Sequence, residues 1–180
     1  MDRKNELCTK ALEYILEHGL ADLSLRPLAT KAGTSARLLI YHFGSKDGLI
    51  AAVMEQARLH VQKSIAESLR NRGKRGPLQC FWSWATHPGN SPFVRLLFEV
   101  QVLALQNRAA YGRYLKGTTA SWLTLIEQQL PSSPNRRSTA TLFAAVIDGL
   151  LLEFLSSGDL RRTSASLQLF GSLWQRKSRR

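Results

Sequence analysis

Two cysteines in 180 residues, Cys8 and Cys80, lie far apart in segments of helical apolar period. That count and spacing exclude a disulfide framework and a cysteine-rich metal centre. The four histidines, His18, His42, His60 and His87, have no cysteine or second histidine at ligand spacing. No apolar run reaches the roughly 20 residues of a membrane span; the longest candidate, Leu142 to Leu155, is interrupted by Asp148 and Glu153. The opening residues, Met1-Asp2-Arg3-Lys4-Asn5-Glu6, are charged and unlike a signal peptide. The expectations are a cytoplasmic protein with no membrane partner. Neither a glycine-rich phosphate loop nor a nucleophile elbow is present, so no enzyme chemistry and no cofactor is expected. Acids are scarce too: 13 Asp and Glu stand against 25 Lys and Arg, a formal net charge of +12.

What is there is helical period. The apolar fraction of 44% is ordinary for a globular protein, and no stretch shows sustained strand alternation. The pattern predicts an all-α fold of about nine helices. Leu7, Ala11, Tyr14 and Ile15 form one stripe, stopped by Gly19. Ser24 stands before a short helix that ends at Gly33, and Ser35 before a second one that ends near Phe43. Gly44-Ser45-Lys46-Asp47 restarts the pattern. A long helix follows, with Ile50, Val53, Met54, Ala57, Val61, Ile65 and Leu69 on its apolar side, as far as the glycine- and arginine-rich stretch 70–77. Five further helices are predicted over roughly 78–87, 92–107, 110–130, 137–157 and 163–176, and a mobile basic tail over 176–180.

The charge distribution singles out one stretch. From Ser24 to Lys46 the charged residues are Arg26, Lys31, Arg37 and Lys46, without an acid among them. Such a surface suits a polyanion, because each phosphate neutralised releases counterions. The same stretch holds a short helix, a glycine turn and a second helix, the helix-turn-helix arrangement whose second helix enters the major groove. Small Ala29 permits a close crossing, Gly33 takes the turn, and Leu28, Leu39 and Phe43 pack the pair. Ser24 and Ser35 place amides and hydroxyls where phosphate binds. Arg26 adds charge beside them. The second helix offers Ala36, Arg37, Leu38, Tyr41 and His42: Arg37 for a guanine edge, Ala36 and Leu38 for a thymine methyl. Tyr41 and His42 have a plainer alternative as core aromatics, and Lys46 as a solvated loop lysine.

Leu25 to Leu49, with Gly33-Thr34-Ser35 and then Ile40-Tyr41-His42-Phe43-Gly44-Ser45-Lys46, closely resembles the DNA-binding signature of TetR-family regulators. The usual pattern places tyrosine directly after the Leu39 position; here Ile40 stands there and Tyr41 follows. Asp148-Gly149-Leu150-Leu151-Leu152-Glu153, with Ser157-Gly158-Asp159, resembles the penultimate-helix region of such proteins. The resemblance implies about nine helices, a homodimer, a phosphate contact at Lys46, and a repressor released by a small molecule.

The domain reading is a helix-turn-helix domain over 1–46 and a ligand-binding and dimerisation domain over 47–180. Double-stranded DNA, in a palindromic operator, is the expected partner. Two reading helices must reach grooves roughly 34–36 Å apart, so a small swing of the long helix from Asp47 can abolish binding. In the second domain Val94, Leu97, Phe98, Gln101 and Leu105 share a predicted stripe on which Gln101 alone is polar. It suits either a ligand contact in an apolar pocket or a satisfied internal hydrogen bond. Trp82, Phe98, Gln101, Trp122 and Asp148 are the candidate effector contacts, with a core role as the alternative for each aromatic. Two rivals stand beside this reading: a helical ligand-binding protein or enzyme without sequence-specific DNA binding, and a nucleoid protein acting through net charge alone.

Overall fold

A computed structural model describes residues 2–21 and 23–178, without the side chains of residue 113 and residues 175–178. Every regular element among them is helical: α1 (Arg3–His18), α2 (Leu25–Lys31), α3 (Ala36–Phe43), α4 (Lys46–Arg70), α5 (Pro77–Ala85), α6 (Ser91–Gln106), α7 (Arg108–Glu127), α8 (Arg136–Ser157) and α9 (Leu160–Ser178), with one 3-10 turn at Pro88–Asn90. The all-α architecture of about nine helices is as the sequence predicts. The basic tail differs in part, since the backbone of α9 runs on to Ser178; residues 179–180 lie outside the described residues.

The chain packs as two units, one of Met1–Ser64 with Pro92–Thr118, the other of Ile65–Ser91 with Thr119–Arg180. The core of the first unit is one apolar cluster. Leu7, Ala11 and Ile15 from α1, Leu28 and Ala29 from α2, and Leu39 from α3 are buried in it, with Leu49, Val53 and Ala57 from α4. The spacings of three and four residues put each helix's set on one face, which burial then fixes. Asp2 caps α1 by accepting from the Lys4 amide, and Gly19 ends it at φ +81°.

α6 departs from expectation. Its buried residues are Val94, Leu96, Val100 and Ala104, while Leu105 is exposed and Leu97, Phe98 and Gln101 are half-buried. The predicted stripe is therefore displaced sideways from the packed face. Residues 93–105 are apolar nearly all round the helix, so periodicity alone could not choose the side.

In the second unit α8 packs on α9. The ring of Phe143 meets Phe170 and Trp174 edge to face, with centroids 5.0 and 5.2 Å apart, a favourable aromatic arrangement. The Trp82 indole N–H donates to Ser164 Oγ at 2.9 Å, tying α5 to α9. The guanidinium of Arg136 donates to the Glu127 carbonyl at the end of α7. By length and apolarity α8 alone among the described helices could cross a membrane; here it carries an aromatic face packed against α9.

Candidate nucleic-acid interface

The turn between α2 and α3 is built from backbone. The Thr34 amide donates to the Ala29 carbonyl at 2.9 Å and the Gly33 amide to the Thr30 carbonyl at 3.1 Å. This reciprocal pair closes a helix when the next residue adopts positive φ, as Gly33 does at +67°. Ser35 then has the extended backbone of an N-cap, and its Oγ accepts from the Leu38 amide at 3.2 Å. Ser24 has the same extended backbone before α2 but makes no side-chain cap, so its exposed hydroxyl stays uncommitted. Leu28 and Leu39 are fully buried between the helices. Truncating either to alanine should cost about 2–5 kcal/mol and loosen the motif.

With one side of α3 buried, the other is displayed. Tyr41 is 80% exposed and Leu38 38%, and Arg37 is exposed with no acid paired to it among the described residues. Tyr41 presents nearly its whole ring to solvent on the open face of α3. The core alternative for Tyr41 is therefore excluded. His42 is half-buried and meets the Tyr41 ring edge-on at 5.4 Å. Ala36 is half-buried against the core, and Arg26 is exposed on α2.

Lys46 does not simply extend into solvent. Its ammonium donates to the Leu23 carbonyl, just ahead of α2, which fixes a cation between the two ends of the motif. Next to it, Asp47 is the first acid after the acid-free stretch. Its carboxylate accepts from the Tyr111 hydroxyl and, at 3.5 Å, from Asn107 Nδ2. Burial and that carboxylate push the Tyr111 phenol well above its usual range. Lys4 on α1 lies 5.5 Å from the centre of the Phe43 ring, at the far end of α3.

The candidate effector contacts fall in both units. In the first unit Phe98 and Gln101 are half-buried on α6. In the second, Trp82 is buried with its N–H already donated to Ser164, and Trp122 is half-buried with its ring edge-on to Phe81 at 6.0 Å. Asp148 is half-buried on α8, and burial raises its carboxyl above the usual aspartate value. Glu99 and Tyr111 were not among the predicted functional residues. Glu99 accepts from the Leu20 amide at 2.7 Å. Its only sequence signal is an acid placed on an otherwise apolar helix.

Comparison with known proteins agrees with this geometry. Residues 7–53 match the model of bacterial regulatory proteins of the tetR family. The HTH-type transcriptional regulator BetI of Paraburkholderia phymatum is 27% identical over 190 residues, covering 93% of this chain and 88% of that one. A TetR-family regulator from Cytophaga hutchinsonii has the same fold at a TM-score of 0.78 and 14% identity, covering 94% of this chain and 92% of the other. The multidrug binding protein EbrR, complexed with imidazole, matches at a TM-score of 0.71 and 22% identity, covering 96% and 95%. The chain is thus similar to bacterial transcriptional regulators of the TetR family, through the tetR-type segment at residues 7–53 and through a fold shared over nearly its whole length.

Proposed function

We propose that this regulator is a cytoplasmic homodimeric repressor that holds a palindromic operator with two copies of α3 and leaves it when a small apolar molecule binds. The observation that carries the reading is the outward face of α3, where Arg37, Leu38 and Tyr41 stand exposed on a helix capped by Ser35. Arg37, Ala36 and Leu38 meet base edges. Tyr41 and His42 contact the groove wall or phosphate, and Ser24, Arg26, Ser35 and Lys46 hold the backbone. Residues 1–46 do the reading; residues 47–180 sense and dimerise.

Two features support the rest. The outer faces of α8 and α9 leave Leu142, Leu152, Leu169 and Leu173 exposed. An isologous dimer would cover them. EbrR, a structural neighbour, is described as a multidrug binding protein. Each unit holds its own proposed effector contacts, taken separately: Phe98 and Gln101 in the first, and Trp82, Trp122 and Asp148 in the second, where Trp82 offers ring surface only.

The test is binding to genomic fragments against scrambled DNA at matched salt. A repressor of this kind prefers one fragment over scrambled sequence by at least about a thousandfold and sediments as a dimer. Equal affinity for both DNAs overturns the reading.

A further inference from the structure

We infer that Glu99 and Tyr111 are positioning residues for DNA binding, clamping the two ends of the helix-turn-helix so that α6 and α7 set how α3 is presented. The inference rests on the DNA-reading role proposed above and adds residues outside the reading motif to it.

At the front end, Glu99 Oε2 accepts from the Leu20 amide at 2.7 Å. Arg95 Nη2 donates to the Leu16 carbonyl at 2.8 Å, and Arg95 Nε lies 3.4 Å from Glu99 Oε1. The turn is shaped for this approach. Gly19 has a φ of +81°, and a Cβ there would sit 3.2 Å from Glu99 Oε1. A charged acceptor on a free amide at a helix end is a strong, directional bond.

At the rear end, Asp47 lies in the first turn of α4, directly after Lys46. The Tyr111 hydroxyl donates to Asp47 Oδ1, and Asn107 Nδ2 lies 3.5 Å from Oδ2. Tyr111 is only 1% exposed, so its hydroxyl cannot swing away without opening the core. Between the two grips lie α2 and α3, helices of 7 and 8 residues, held otherwise by their apolar faces and by lysines, Lys10 donating to the Ala32 carbonyl, Lys46 to the Leu23 carbonyl and Lys31 pairing with Glu17. Apolar contacts are non-directional; the two carboxylate bonds are not. Burial of α6 residues and of Tyr111 in the same core as α1–α3 makes the clamp part of the head itself.

The test uses the full chain and a duplex chosen by selection from a random pool, plus versions with the half-sites moved one base pair closer or further apart. Glu99→Ala and Tyr111→Phe should each lower affinity about tenfold, the loss expected for one hydrogen bond to a charged group, well below the melting temperature. Both should also weaken the preference for the selected spacing. Glu99→Gln keeps an acceptor for the Leu20 amide and should restore affinity to within about twofold of the parent chain. If Glu99→Ala does not fold, Tyr111→Phe, which keeps the ring in the core, decides alone. Variants that melt earlier but bind with the parent's affinity and spacing preference make the two bonds structural only and overturn the inference. A parent chain that enriches no sequence overturns the DNA-reading role first, before any variant is made.

Discussion

The ammonium of Lys46 is bonded to the carbonyl of Leu23, so the cation at the foot of α4 is held by the residue that precedes α2. A positive charge fixed to backbone contributes to every DNA sequence alike. Lys46→Ala should weaken selected and random duplexes by similar factors, and the slope of log affinity against log salt should fall by about 1. Binding titrations across salt concentrations check this. A loss confined to one sequence would make Lys46 a base reader instead.

Gly48 lies under the end of α3. A Cβ there would fall on the Phe43 carbonyl oxygen, far inside van der Waals contact. Carbonyl backbone does not yield as a flexible side chain does, so Gly48→Ala should cost about 1–3 kcal/mol in urea unfolding. Gly117→Ala on α7, where an added Cβ meets nothing, should instead stabilise by about 0.5–1 kcal/mol. Equal effects would remove the steric account.

Leu152 and Leu169 are exposed on α8 and α9, which makes them the cleaner probes of the proposed dimer. Phe170 packs against Phe143 within the chain, so a charge there damages the fold and the interface together. Leu152→Glu with Leu169→Glu should give folded monomers with unchanged helical circular dichroism. Retained dimers in sedimentation would place the interface elsewhere.

Asp148 gives a pH dependence of definite sign. Burial raises its folded-state pKa above the usual 3.8, so between the two values the folded chain holds more protons than the unfolded one. Its contribution to stability is then greatest below pH 3.8 and is lost as pH rises through the folded value. Asp148→Asn should therefore stabilise the protein near neutrality, with the gain shrinking toward pH 3.8. A gain that is constant across that range, measured without effector, would show that the carboxyl is solvated.

The helix-turn-helix was legible because its requirements are local: a serine before each helix, a glycine at the turn, and apolar residues at close spacing. The structure bears out Leu28, Leu39 and Gly33 in those places, and Tyr41 on the open face. What was not legible depended on contacts across long sequence separation. The side of α6 that packs could not be read from a helix apolar on most faces: the predicted stripe runs through Leu105, which is exposed, while Leu96, Val100 and Ala104 are buried. Nothing local in the sequence singles out Glu99 or Asp47 as a long-range acceptor. Their partners, the Leu20 amide and the Tyr111 hydroxyl, are 79 and 64 residues away, and no local pattern encodes such a pair.

The central claim is that α3 reads sequence through its exposed face, and Arg37 is its best single probe. Selection of bound duplexes from a random pool, run in parallel for the parent chain and Arg37→Ala, measures it directly. The parent chain should enrich a palindrome. Arg37→Ala should enrich the same palindrome with base choice relaxed at one position in each half-site, and should bind the parent's preferred duplex more weakly by about 1–3 kcal/mol. An unchanged profile for Arg37→Ala would remove that residue from the readers. No enriched sequence from the parent chain would contradict the account itself.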